Sequence, residues 1–135
     1  MRLNLEIVSP EKLLVSKPVD MVVIPAAEGE MGVLPLHSPM IVMLRGGTIR
    51  TYENNQVSST LYVAGGFAEI TPERCTVLAD EAVPAAEVSR AEGERRLAEA
   101  EAEFNAADKM DMTALDAAQD RIQSARAMIE AAGAG

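Results

Sequence analysis

The sequence contains very little cysteine and histidine. Cys75 is the one cysteine among 135 residues, so no internal disulfide can form. Its apolar neighbours predict a buried, inert thiol, which fits a reducing compartment. His37 is the one histidine, whereas a zinc site needs several His or Cys ligands at suitable spacing. The sequence therefore predicts no metal site, and no bound cofactor is expected.

Long apolar runs and an excess of positive charge are also missing. The longest apolar runs, such as Met40–Leu44, cover only a few residues, whereas a membrane helix needs about 20. Met1–Glu6 alternates polar and apolar residues and lacks the apolar centre of a signal peptide, so the chain is expected to stay in the compartment where it is made. The net charge of −9 disfavours nucleic acid and an anionic membrane surface. Any membrane association is therefore expected to occur through another protein.

The chemistry of the chain changes near Pro84. All seven prolines lie in residues 1–84, whereas the last 51 residues contain no proline and sixteen alanines. Strand formers with turn residues give way to helix formers at this point. We therefore predict a mixed β + α chain. Residues 1–84 would form an antiparallel β-sandwich of about ten strands, and residues 85–135 an antiparallel α-helical hairpin.

Short glycine and asparagine clusters mark the strand ends in the first part. Glu53–Gln56 contains two asparagines, which tolerate positive φ, and predicts a hairpin turn. Gly46-Gly47 and Gly65-Gly66 predict places where strands turn, bulge or bend. Neither pair carries the pattern of a phosphate-binding loop.

The second part shows the signals of two helices. Ser89 and Glu92 form a capping-box pattern, in which the glutamate reaches back to the serine. Asp108–Met112 interrupts the helical pattern, and Thr113 is a candidate cap for the second helix. The apolar stripes are rich in alanine and bury little area. The hairpin is therefore expected to be weakly held and able to separate from the sandwich.

The sequence contains few motifs that indicate a catalytic site. His37 lies between two prolines, and no nucleophile motif such as Gly-x-Ser-x-Gly accompanies it. A structural or interface role is therefore favoured, although sequence order alone leaves a Ser-His-Asp arrangement open. The apolar stretch Met31–Leu36 lies in a predicted surface loop. Such residues either fold back on the core or bind a partner, and both interpretations stay open.

Two stretches together resemble one family. Gly29–Pro39 reads GEMGVLPLHSP, and Tyr62–Pro72 reads YVAGGFAEITP, with Thr76–Ala82 behind it. Both resemble the signature of the epsilon subunit of rotary proton-translocating ATP synthases, which is similar to the mitochondrial delta subunit. The resemblance covers the whole chain in order and length. Two positions depart: the family usually has glycine where Leu36 stands, and often alanine where Ser38 stands.

The resemblance implies a non-catalytic subunit of the central stalk, peripheral on the cytoplasmic face of the bacterial inner membrane. Its implied partners are the gamma subunit and the ring of c subunits, and its role is to couple ring rotation to the catalytic head. The helices would fold down on the sandwich, or extend towards the alpha and beta subunits and inhibit hydrolysis. By similarity, Glu30, Met31 and His37 are expected to contact the ring.

A nucleotide site is a second implication of the resemblance. Some family members bind ATP where the sandwich meets the first helix, through the pattern Ile-Asp, two residues, Arg-Ala. The matching stretch here is Ala86–Ala91, in which Arg90 and Ala91 match but Ala86 and Glu87 depart. The resemblance thus implies weak ATP contacts at Glu87, Arg90 and Arg95. The departures predict binding in the millimolar range or none.

Two other classes of function remain as alternatives. One is a free-standing β-sandwich binding module with a helical oligomerisation tail, which a stable homodimer without stalk partners would support. The other is a small hydrolase that uses His37, which loss of function in a His37→Ala variant would begin to support.

Overall fold

The computed structural model describes residues 1–134, which form eight strands, a 3₁₀ turn and two helices. The strands are β1 (Leu3–Val8), β2 (Leu13–Val19), β3 (Met21–Ala26), β4 (Gly29–Val33), β5 (Met40–Glu53), β6 (Gln56–Ile70), β7 (Arg74–Ala79) and β8 (Ala82–Pro84). The 3₁₀ turn covers Ala85–Glu87, and the helices are α1 (Arg90–Ala106) and α2 (Met112–Ala134).

The strands form a two-layer sandwich through one continuous order, β2-β1-β7-β6-β5-β3-β4, with β8 beside β6. The first layer contains β2, β1, β7 and the adjoining halves of β6 and β5, and the second contains their other halves with β3, β4 and β8. β1 and β7 are parallel, whereas the other pairs are antiparallel, as predicted. The pairing of β1 with β7 is therefore the one that differs from the predicted antiparallel arrangement.

The two long strands bend together from one layer into the other. In β6 the side chains that face the core are those of Leu61 and Val63 before the bend, and of Ala68 and Ile70 after it. The core-facing positions therefore change from odd-numbered to even-numbered residues at the bend. Gly66 lies at the bend with φ +113, where a Cβ would come within 2.1 Å of the Leu78 carbonyl oxygen. This confirms the predicted bend. The expected number of strands was about ten, and the structure has eight. The hydrogen-bonded ladder between β5 and β6 continues through the bend, so each of them is one long strand instead of two.

The sandwich has a core of its own. Its fully buried side chains come from both layers and include Leu3, Leu5, Ile7, Val19, Val22, Ile24, Val33, Ile49, Val63 and Val77. Every member of this cluster lies before residue 83. The turn at Asn54 and Asn55 also has the predicted geometry, since both residues have positive φ, of 53° and 63°.

The two helices form the predicted hairpin, joined by residues 107–111. Ser89 caps α1, and its Oγ accepts a hydrogen bond from the Glu92 amide at 3.1 Å. The Glu92 carboxylate does not complete the capping box, because it accepts from Arg95 and Arg96 instead. α2 begins earlier than predicted: Asp111, rather than Thr113, caps it through a 3.0 Å bond from the Ala114 amide.

The hairpin is folded down on the outer face of the second layer. Tyr62 of β6 is fully buried there against Ala127, Met128 and Ala131 of α2. Its hydroxyl donates to the Ser124 carbonyl oxygen at 3.0 Å. Burial raises the pKa of Tyr62 to about 12, with a smaller contribution from the Glu81 charge. Tyr62 therefore anchors the contact between sheet and hairpin.

Candidate functional site

Half of the predicted loop 29–39 is strand. Gly29–Val33 forms β4, at the edge of the sheet, and its neighbouring side chains point to opposite faces. Glu30 is on the helix side, where its carboxylate accepts hydrogen bonds of 2.7 and 3.3 Å from Arg50. This guanidinium lowers the pKa of Glu30 below its ordinary value. Met31 is half-buried and packs against the sandwich core. The structure thus separates Glu30 from Met31.

Residues 34–39 form a loop between β4 and β5. Leu36, where the related motif usually has glycine, has φ +70, a conformation that costs a leucine about 1–2 kcal/mol. Its amide donates to the Pro72 carbonyl oxygen at 2.7 Å, so the two motifs of the family signature meet here. The Leu36 side chain is 66% exposed. A strained residue with an exposed apolar side chain is typical of a functional contact.

His37 follows Leu36 and is half-buried. Its Nδ1 lies 2.8 Å from the Ser38 carbonyl oxygen, a contact that fixes the ring to its own loop. His37 therefore shares the loop end of the sandwich with Leu36, away from the face that carries Glu30.

An exposed apolar row crosses the outer face of the first layer. Cross-strand partners place these side chains side by side on five strands: Met43, Phe67, Leu78, Val8 and Leu13. Met43 is 63% and Phe67 38% exposed, and Ile41 extends the row along β5. With about 4.8 Å between strands, the row is about 20 Å long. We call it the outer apolar face. Its length suits a protein partner.

Sequence reasoning missed the outer apolar face, although the chain carried a signal for it. Met40–Leu44 is apolar at every position, which indicates a strand that is covered on both faces. In the structure the core covers only one face, through Val42 and Leu44. Met40, Ile41 and Met43 remain exposed.

The three residues expected to contact ATP do not converge on one place. Arg90 binds Glu94 at 3.0 Å, and Arg95 binds Glu92 and Glu99 along the outer surface of α1. Glu87 lies exposed in the 3₁₀ turn. Because each arginine is paired within its own helix, this arrangement offers no common pocket for a triphosphate.

Two other arginines do line a cavity, of about 220 Å³, between the sheet and the hairpin. Arg96 donates to both carboxylate oxygens of Glu81, at 2.6 and 3.0 Å, and Arg121 pairs with Glu103. Both positive charges are therefore already neutralised. A phosphate group would have to displace a carboxylate to bind here.

Comparison with known proteins identifies the family. The family described as "ATP synthase, Delta/Epsilon chain, beta-sandwich domain" matches residues 2–85. An ATP synthase epsilon chain from Granulibacter bethesdensis is 71% identical over 129 residues, which cover 96% of each chain. This chain belongs to the ATP synthase delta/epsilon family. The resemblance stated from the two motifs is thereby confirmed.

Solved structures share the fold of this delta/epsilon chain. A chain in the cryo-EM structure of the Euglena gracilis mitochondrial ATP synthase, OSCP/F1/c-ring in rotational state 1, superposes with a TM-score of 0.78 at 23% identity, over 96% of this chain and 81% of that one. A chain of the Tetrahymena thermophila mitochondrial ATP synthase, central stalk/c-ring, gives 0.71 at 14% identity, over 98% and 97%. Sandwich and hairpin both lie within the matched lengths.

Within residues 1–134, neither helix combines the length and the apolar character that crossing a bilayer requires.

Proposed function

We propose that the chain is the non-catalytic central-stalk subunit of a proton-translocating ATP synthase, which couples rotation of the c ring to the catalytic head. The observation that carries this proposal is membership of the delta/epsilon family along nearly the whole chain. The bond of His37 to its neighbouring carbonyl supports a structural role for this residue rather than a catalytic one. The subunit would sit peripherally on the cytoplasmic face of the bacterial inner membrane.

The gamma subunit is the partner proposed for the outer apolar face. This face presents adjacent apolar side chains from five strands, and partly exposed apolar clusters of this kind form the centres of stable interfaces. The hairpin covers the opposite layer, so it leaves this face open. Phe67, the aromatic side chain of the row, lies between Met43 and Leu78 and is the proposed anchor.

The c ring is the partner proposed for the loop end of the sandwich, through Met31 and His37. Leu36 joins this surface, because its exposed side chain is held in a strained conformation beside Pro72. Glu30 was expected at the same contact. Its pairing with Arg50 on the helix side supports a place at the margin of the surface rather than its centre.

The two parts of the chain are proposed to have different roles. Residues 1–84 bind the central stalk and the ring, and residues 85–135 regulate ATP hydrolysis. The family match ends at residue 85, and the sandwich core draws on no helical residue. The hairpin would act on the alpha and beta subunits of the head when it leaves the sandwich.

Two single variants of the full chain test the gamma contact. Met43→Glu places a charge on the outer apolar face, whereas Val57→Glu places the same charge at the 47% exposed Val57, near the hairpin turn. Because a charge cannot be buried unpaired at low cost, Met43→Glu is expected to weaken binding to purified gamma at least about tenfold. Val57→Glu should bind as the parent does. Equal binding by both variants would remove the outer apolar face from the proposal.

The ring contact has a separate test. In complexes assembled with Leu36→Asp, gamma should remain bound while the amount of c ring that co-purifies falls. The same substitution at Leu13, at the far end of the outer apolar face, should instead reduce gamma. If Leu36→Asp leaves the c ring in place, the loop end of the sandwich is not the ring contact.

A further inference from the structure

The ladder between β3 and β5 has a gap beside Gly46. Val23 pairs with Arg50, but the next pair along is Ala26 with Leu44, so two residues of β3 lie opposite five of β5. One of those two is Pro25, which has no amide hydrogen to donate. Gly46 has its partner Ala64 on the β6 side. On the β3 side its backbone groups need a partner from elsewhere.

Gln123 of α2 supplies this partner. The Gly46 amide donates to Gln123 Oε1 at 3.0 Å, and Gln123 Nε2 donates to the Gly46 carbonyl oxygen at 2.6 Å. A primary amide carries the same donor and acceptor as a peptide group, so the side chain takes the place of a strand residue. The helix is thereby joined to the sheet through paired hydrogen bonds.

The shape of the contact fits this pairing. A Cβ on Gly46 would lie 2.5 Å from Ser124 Cα, so only glycine lets α2 approach the strand this closely. Open clefts of about 530 and 710 Å³ lie on either side, and both are lined by Gly46 and Gln123. The amide pair thus borders both open clefts, while Ser124 beside it packs closely on Gly46.

We propose that the Gln123–Gly46 amide pair is the latch that keeps the helical hairpin on the sandwich. Opening the latch releases α2 and leaves the Gly46 amide and carbonyl open to solvent at the same moment. Tyr62 and the pair of Arg96 with Glu81 add to the docked state, but neither completes a gap in the sheet. The latch rests on contacts within the chain, and its use in regulation rests on the proposed function.

The test uses the isolated full chain, so it does not depend on any stalk partner. Gln123→Leu removes both hydrogen bonds at nearly constant volume. Gln119→Leu, one turn earlier on the same helix at an exposed position, is the matched control. Amide hydrogen exchange is measured at Gly46, along α2 and in β1. The loss of two bonds is expected to speed exchange at Gly46 by at least about tenfold, and to speed exchange in α2, with β1 unchanged.

Gly46→Ala provides an independent perturbation, because it keeps the glutamine but blocks the close approach of Ser124. It should likewise release α2 and leave β1 protected. The latch is refuted if both variants keep α2 as protected as in Gln119→Leu, since the hairpin is then held by other contacts. It is also refuted if β1 loses protection together with α2, because the hairpin then does not open separately. Either outcome leaves the binding tests with gamma and the c ring unaffected.

Discussion

A fragment of residues 1–88, which lacks both helices, should fold and keep most of the stability of the sandwich. The reason is that the sandwich core contains no residue from the hairpin. The fragment does lose the cover over Tyr62 and the partner of Gly46. The size of that loss can be worked out from the contacts at the docking surface.

Three hydrogen bonds join α2 to the sheet, two at Gly46 and one at Tyr62, and each contributes about 1 kcal/mol net. Burial of the Tyr62 ring adds about 2 kcal/mol. Ordering of the Tyr62, Gln123, Met128 and Arg96 side chains costs about 0.5–1 kcal/mol each. The free energy of unfolding of the fragment should therefore be lower than that of the full chain by about 1–3 kcal/mol.

Urea unfolding followed by circular dichroism measures this difference. Tyr62→Ala serves as the internal control, since it should cost about 3 kcal/mol in the full chain and much less in the fragment, where the ring is already exposed. An unfolded fragment, or equal costs of Tyr62→Ala in both chains, would refute the reasoning. In rebuilt complexes the fragment should support proton pumping and alter only ATP hydrolysis. Hydrolysis without pumping would place coupling in the hairpin.

The remaining predictions concern single sites. ATP should bind in the millimolar range or not at all, since Arg96 and Arg121 are already paired; a low micromolar dissociation constant by isothermal titration would contradict this. Cys75, whose pKa is raised to about 12 by burial, should react with a maleimide at pH 8 only as fast as the chain unfolds; rapid labelling of the native protein would show that it is accessible. Glu53 accepts a 2.9 Å hydrogen bond from Lys17, and this bond, with smaller contributions from Ser58 and Arg2, lowers its pKa from 4.5 to about 2. Its contribution to stability is therefore present above about pH 4.5 and is lost as the pH falls towards 2. Glu53→Gln should therefore flatten the fall in urea midpoint over this range, and an unchanged slope would count against the pairing.

Much of the fold follows from local signals in the sequence. The turn at Asn54 and Asn55 and the cap at Ser89 depend on residues close in the chain, and both are found as expected. The parallel pairing of β1 with β7 could not be predicted, because it joins residues some 70 positions apart and local propensity carries no register between them. The two glycines of Gly29–Val33 weaken its strand signal, so the sequence predicts a loop where the structure has β4.

The candidate site was less accessible from the sequence than the fold. The motif at residues 29–39 predicts a contact with the ring, which stays a prediction, but it does not tell which face Glu30 and Met31 take. The outer apolar face depends on the register of five strands. The latch depends on a ladder gap that only the pairing of β3 with β5 reveals.

The parallel pairing of β1 with β7 also has a consequence for the order of assembly during synthesis. β1 lies between β2 and β7, so the first layer cannot close until residue 79 has left the ribosome. Contacts between distant residues slow folding, to milliseconds or seconds in β-rich chains. β1 and β2 therefore stay without β7 until that strand has been synthesised. The helices are made last, and they meet a sheet whose surface is already formed.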